Sequence, residues 1–386
     1  MARLRTAYES SLLRGDAAAA AAVAEEALAV DPELPPAHVL LGQAQLVARD
    51  LGPARDTLAP VVARFPAYTA AGMAAARTAE LLGELPEAYG IYRRLAAGSP
   101  LALERAGAIH QRAVDVVAQR THEALRRGRV GEARTHLATL REWAAGERST
   151  LEAALAVARA ADDPREELAA VRGLLATGSD PALVERRGEL ELAVGDPAVA
   201  IEIFEDLASR HPEEPRYADA LDQAKFRWRA NNLPSEVQSL LEKPELLRAD
   251  YAVLLYWLVP GVRAGVASTA RIATDVLDHP NRQEIVRVVN LQLMDVDGTL
   301  RHFEPHARVR RAHALRALLR MLQRAAAPPS CVAPLQGNPS PSRDAVCAAA
   351  AACGMLPAPA DCLPDAGVSG AEAAAWIART QSLLGS

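Results

Sequence analysis

The chain has 386 residues, half of them hydrophobic and only 4% aromatic, with a formal net charge of −5. That length and apolar content supply a substantial core, enough for two or more domains. Acidic and basic residues are interspersed rather than segregated, which argues against nucleic acid as a partner, and no apolar run reaches the ~18–20 residues that a transmembrane segment needs.

Helix formers dominate and no extended run of alternating β-branched residues is present, so the chain is expected to be all-α. The apolar stretch Ala17–Val23 is flanked by Asp16, Glu25 and Glu26 and reads as a repeat helix, not a signal peptide. One constant interval relates Pro32 to Pro66 to Pro100, and it also carries Asp16 to Asp50 to Glu84, Ala20 to Ala54 to Ala88, and Ala24 to Leu58 to Tyr92. That interval is the period of a helix-turn-helix repeat, about 34 residues. Each proline is expected to end a second helix, because it cannot continue the hydrogen-bond ladder, while Gly15 or Gly83 and the acidic residue beside it turn the chain between paired helices.

These positions resemble the tetratricopeptide repeat. In the second repeat Leu41 and Gly42 stand as the leucine-glycine pair, followed by Ala54, Leu58 and Pro66; in the first, Ala20, Ala27 and Pro32 fit, with Tyr8 in place of the glycine. A later unit has Gly188, Gly195, Ala200, Phe204, Leu207 and Pro212 at the same mutual spacing, and residues 105–180, with Gly128, Ala133 and Gly146 as remnants, read as diverged repeats. The resemblance implies a tetratricopeptide-like helical-repeat solenoid over residues 1–232, with a concave face that takes a protein or peptide partner. His38, Gln45 and Arg77, on first helices, are the candidate partner-binding residues.

Residues 233–265, with Tyr251, Tyr256, Trp257 and Pro260-Gly261, read as a helical connector. From about Ala270 a new pattern begins with Ile272 and Val276. A helix carrying Ile285, Val288, Val289 and Leu293 follows, then a loop, and a helix opening near Val309. The order resembles an S-layer homology module, in which a loop containing Asp-Gly-Thr (here Asp297, Gly298 and Thr299) lies before a helix entered through Thr-Arg-Ala-Glu. That signature reads Arg310-Arg311-Ala312-His313 in this chain. A single shift lays Val309–Arg320 onto Val368–Arg379, so residues 266–325 and 326–386 read as two small helical modules, the second with Ser369-Gly370 in the signature. Modules of this family usually combine in threes to hold an anionic cell-wall polymer. The resemblance implies contact with the cell envelope, a cell-wall polymer as second partner and an extracytoplasmic location; a cytoplasmic assembly scaffold is the alternative.

Met294-Asp-Val-Asp-Gly-Thr-Leu300 also resembles the nucleophile motif of haloacid-dehalogenase-type phosphatases, which would make Asp295 the nucleophile and Asp297 its acid or base. That chemistry needs a strand end, a downstream lysine and a later acidic pair for magnesium. No lysine follows Lys243 and no such pair follows the motif, so a turn at Asp297-Gly298 is expected, with the phosphatase as the alternative. His302 and His306 are spaced i, i+4 near Glu304 and His313, but Phe303 and Pro305 make the stretch a loop, and neither a metal nor a cofactor is expected. All four cysteines, Cys331, Cys347, Cys353 and Cys362, lie beyond Ser330. They read as two disulfides, Cys331 with Cys347 and Cys353 with Cys362, against the alternatives of zinc or free thiols. The whole reads as a non-catalytic scaffold.

Overall fold

The computed structural model describes residues 2–266, 273–338 and 340–385. Among them are helices and two isolated β-bridges but no strand, so the chain is all-α. Ile272, where the second sequence pattern was expected to begin, lies outside the described residues. Two compact units divide the chain, Met1–Gly178 and Ser179–Ser386.

The first unit is five successive helix pairs: α1 (Ala2–Leu13) with α2 (Ala17–Val30), α3 (Pro35–Ala48) with α4 (Leu51–Arg64), α5 (Thr69–Leu82) with α6 (Leu85–Leu95), α7 (Pro100–Arg126) with α8 (Val130–Ala144), and α9 (Arg148–Ala160) with α10 (Pro164–Thr177). In the second unit α11 (Pro181–Val194) and α12 (Pro197–Arg210) form a sixth pair. The N-caps of the second helices fall at Asp16, Asp50, Glu84, Arg129, Asp163 and Asp196. The step from Glu84 to Arg129 is longer than the others by about three helical turns, and the added segment enlarges α7, which has 27 residues where α3 and α5 have 14. Three whole turns return the chain to the same face. Ala102, Ala106, Ile109 and Ala113 extend the buried stripe into Val117 and Thr121. The repeats between 105 and 180 are regular in structure but out of phase with a fixed interval.

Four of the helix pairs are held by complementary sizes. Each of their first helices carries a core position, and the second helix carries its counterpart at one constant offset: Tyr8 and Ala24, Gly42 and Leu58, Ala76 and Tyr92, Gly188 and Phe204, all buried. A Cβ on Gly42 would lie 2.5 Å from Leu58 Cγ, and one on Gly188 would lie 2.9 Å from Phe204 Cζ. In these four pairs a large residue stands at the offset of a small one, in either order, whereas Thr121 with Leu137 and Leu155 with Val171, buried at the same offset, are not matched in this way. Pro32, Pro66 and Pro212 sit just beyond the ends of α2, α4 and α12. Pro100 differs from expectation: it opens α7, behind the Ser99 cap, where its missing N–H costs nothing.

In the second unit, α13 (Pro215–Asn231) packs on α12 through Phe204, Leu207, Tyr217 and Ala224. The remaining helices are α14 (Ser235–Leu241), α15 (Arg248–Leu258), α16 (Pro260–Ala264), α17 (Arg282–Asn290), α18 (Arg311–Gln323), α19 (Arg343–Ala352) and α20 (Gly370–Leu384). They share one core that includes Leu246, Leu255, Val288, Leu318, Val346 and Ile377. Residues 233–265 are thus part of this core. Disulfides link Cys331 to Cys353 and Cys347 to Cys362, with Cα–Cα distances of 5.2 and 5.6 Å. The expected neighbour pairing is corrected: α19 carries Cys347 inside the helix and Cys353 at its C-cap, roughly 9 Å further along the axis, so each meets a different flanking segment. Cys353 meets the 3₁₀ turn Ser330–Leu335, and Cys347 meets the turn Pro359–Cys362.

Candidate functional site

The expected signature at Arg310, Arg311 and Ala312 belongs to a set of three. Leu246, Val309 and Val368 stand at nearly equal intervals, each is fully buried, and each is followed by a helix: α15, α18 and α20. The same spacing relates the buried Tyr251, Ala314 and Ala373, and Leu255, Leu318 and Ile377. The three helix starts are joined head to tail by backbone hydrogen bonds. Arg248 N–H donates to Ala307 O at 2.9 Å, Arg311 N–H to Ala366 O at 2.9 Å, and Gly370 N–H to Lys243 O at 2.8 Å, which closes the ring. The copy at Leu247-Arg248-Ala249-Asp250 escaped the sequence reading; laying residues 309–313 back onto 246–250 would have found it.

Side chains at the three starts differ in a way that the ring explains. Arg248 donates to Phe303 O at 2.7 Å and Asp295 O at 2.7 Å and lies over the Phe303 ring. Arg311 donates to Asp361 O at 2.9 Å, pairs with Glu372 and lies near the Trp376 ring. Each guanidinium thus ties its own helix start to the next copy. The third position is Gly370, where a Cβ would lie 2.0 Å from Leu240 O, so close backbone contact takes the place of the arginine. Asp250 and Glu372 accept from the N–H groups of their own caps, Leu247 and Ser369, at 2.9 and 3.0 Å. The corresponding residue in the middle copy is His313, and burial followed by the charges of Arg248, Arg316 and Arg310 lowers its pKa.

The Asp-Gly-Thr loop is a turn. Asp297 Oδ1 accepts from the Thr299 and Leu300 N–H groups at 2.9 and 2.6 Å, and these bonds hold its carboxyl below the ordinary value. Asp295 faces elsewhere: its carboxylate accepts from Arg320 at 2.8 Å. The two aspartates of the phosphatase-like motif therefore do not share one site. Among the described residues no group of three or more His, Cys, Asp or Glu is placed to hold a metal, and no helix is long and apolar enough to cross a membrane.

In the first unit, His38 lines a cleft of about 710 Å³ formed by the end of α2 with α3 and α4. Its Nε2 lies 2.8 Å from Pro32 O; a carbonyl only accepts, so Nε2 carries the proton. Leu28, Leu41, Pro60 and Val61 supply apolar wall, Phe65 is 38% exposed, and an ion pair of 2.5 Å between the exposed Glu33 and Arg64 stands at the mouth. Gln45 is outside this cleft and its Oε1 is buried without a hydrogen-bond partner. Arg77 pairs with Glu80 at 2.9 Å, which in turn accepts from Tyr92. The three candidate residues are thus not gathered into one site. A cluster not anticipated from sequence joins α6, α7 and the cap of α9: His110 bridges Tyr89 OH and Glu147, both at 2.9 Å, with Trp143 edge-on to Tyr89. The enlarged α7 carries His110, and this explains why a comparison at the fixed repeat interval could not align it.

No protein-family model matches the chain, and no curated protein matches it. Among solved structures the chain is similar to the TPR2AB-domain:pHSP90 complex of yeast Sti1, at 12% identity and a TM-score of 0.27 over 58% of this chain and 97% of that one. It is similar also to TTC0263, a thermophilic TPR protein of Thermus thermophilus, at 22% identity and a TM-score of 0.19 over 56% and 96%. A tetratricopeptide repeat protein from Parabacteroides merdae gives 16% identity and a TM-score of 0.23 over 61% and 95%. The fold assignment rests on the helix pairing itself.

Proposed function

We propose that this chain is a non-catalytic interaction scaffold whose helix pairs hold a segment of a partner protein. The observation that carries the reading is the cleft between α2, α3 and α4. Its volume of about 710 Å³ lies within the usual range of ligand sites. An apolar wall with a charged mouth suits an extended peptide with one large apolar side chain. A photo-crosslinking amino acid at Thr57, which lines the cleft, is expected to give a discrete protein adduct in the source cells, and Phe65→Asp should abolish it. Adducts only from positions outside the cleft, or an adduct indifferent to Phe65→Asp, would overturn the proposal.

Residues 266–325 and 326–386, with the added copy at Leu247–Asp250, are read as S-layer-homology-like modules that contact the cell envelope. Three helix starts closed in a ring support this, three being the number in which such modules combine, and two disulfides fit an oxidising compartment. The purified protein is expected to sediment with isolated cell-wall sacculi. Failure to do so, or recovery of the native protein with four free thiols, would remove the envelope reading while leaving the cleft untouched.

A further inference from the structure

One helix face in the second unit concentrates positive charge around a cavity. Arg316 and Arg320 on α18 and Arg324 at its C-cap recur every four residues, so they lie on one side of the helix, and all three line a cavity of about 400 Å³ with Gln292 and Asp295. The side chains of Arg316 and Arg320 are only 19% and 16% exposed, whereas that of Asp295 is 61% exposed. Asp295 is the sole carboxylate among the described residues lining the cavity. It lies 2.8 Å from Arg320 and 4.0 Å from Arg316.

The other partners are neutral. Arg320 donates to Leu293 O at 3.3 Å, Arg324 to Gln292 Oε1 at 3.1 Å and to Leu291 O, and Arg316 to Pro341 O at 3.2 Å. Arg316 Nε is buried with no acceptor. Burial and then the Arg320 charge lower the pKa of both Arg316 and Arg324, the sign of cations placed together without enough counter-charge. A half-buried cation without a close anion is costly, and a carboxylate mostly in water compensates weakly. Three guanidiniums against one carboxylate leave a charge of about +2, and guanidinium geometry matches tetrahedral oxyanions.

We propose that this cavity is a binding site for a small phosphate-class dianion, either free phosphate or the phosphate of a monoester. The site is separate from the partner cleft and does not depend on the envelope reading. In full-length protein at low ionic strength, titration with inorganic phosphate followed by phosphorus NMR and calorimetry is expected to show saturable binding, and equimolar chloride is expected not to reproduce it. Glycerol phosphate run in parallel separates the two sources: tighter binding than free phosphate assigns the monoester, and equal or weaker binding assigns the free ion. Arg320→Gln should weaken binding at least tenfold. Asp295→Asn removes the competing carboxylate and should tighten it severalfold, an effect that misfolding does not produce. Absence of saturable phosphate binding by the unmodified protein would overturn the proposal, as would unchanged or weaker affinity in Asp295→Asn.

Discussion

At the scale of single residues, the turn position between paired helices tests the geometry directly. Gly15, Arg49 and Gly83 occupy it at the repeat interval with φ of 73°, 67° and 79°. The left-handed region costs a non-glycine residue roughly 1–2 kcal/mol, and glycine gives back about 0.5–1 kcal/mol in chain entropy. Arg49→Gly is therefore expected to stabilise the first unit by up to about 1 kcal/mol in urea denaturation, and Gly83→Ala to destabilise it by a similar amount. Packing gives a second test. Gly42→Ala should cost on the order of 1–3 kcal/mol and Leu58→Ala about 2–5 kcal/mol, and the double variant should cost less than their sum, because the Cβ would then occupy part of the space vacated by the leucine. Simple additivity in that double-mutant cycle would refute the complementary-size reading. The sequence shows Gly42 and Leu58 plainly, but not that they touch; their contact follows only once the constant offset between paired helices is known. Protonation supplies a third test. Burial lowers the pKa of both His279 and His313 below the ordinary histidine value of about 6.5, so the unfolded chain takes up protons first. The stability these neutral rings contribute above about pH 6.5 should be lost as pH falls through their folded values, and His313→Gln should flatten the pH dependence of Tm on the acid side of that point.

At the scale of elements, the disulfides and the ring of helix starts make separate demands. Each disulfide closes a loop, with sequence separations of 22 and 15, worth roughly 3 kcal/mol apiece in the chain-entropy model. Peptide mapping without reductant is expected to recover Cys331 linked to Cys353 and Cys347 linked to Cys362, and calorimetry with reductant should lower the melting temperature of the second unit. In the ring, two neighbouring glycines predict opposite outcomes. A Cβ at Gly367 would meet Glu245 Oε1, the end of a flexible side chain, whereas one at Gly370 would meet Leu240 O and the Leu241 carbonyl group. Gly367→Ala should cost well under about 1 kcal/mol, and Gly370→Ala more than about 2 kcal/mol, since backbone cannot move aside without opening the ring. Equal costs would show that the ring is not closed there. Four cysteines crowded between Cys331 and Cys362 announced disulfides, but the connectivity depended on where α19 carries each sulfur, and spacing alone cannot supply that.

Across the whole molecule, legibility followed the regularity of the period. Repeats one to three and the pair around Gly188 were readable because proline, glycine and alanine recur at fixed offsets. The stretch from 105 to 180 was obscured by three added turns in α7, which preserve the buried face while displacing every later landmark. Residues 233–265 read as a connector because the copy at Leu247–Asp250 lies before the first recognised module, with leucine where a hydroxyl cap was expected. The ring has one consequence for how the chain comes into being. Helix pairs of the repeat kind bury their faces on sequence neighbours and can assemble as they are made, but the start of α15 is completed by groups that include Val368 O, which accepts from Leu246 N–H. At ~5–20 residues per second of synthesis, the first segment of the ring waits roughly 6–25 seconds for the last. During that interval the Leu246 N–H lacks its native acceptor and the core that Leu246, Tyr251 and Leu255 enter is incomplete, so the ring, rather than the helix pairs, is the segment that chaperones and proteases meet unfinished at birth.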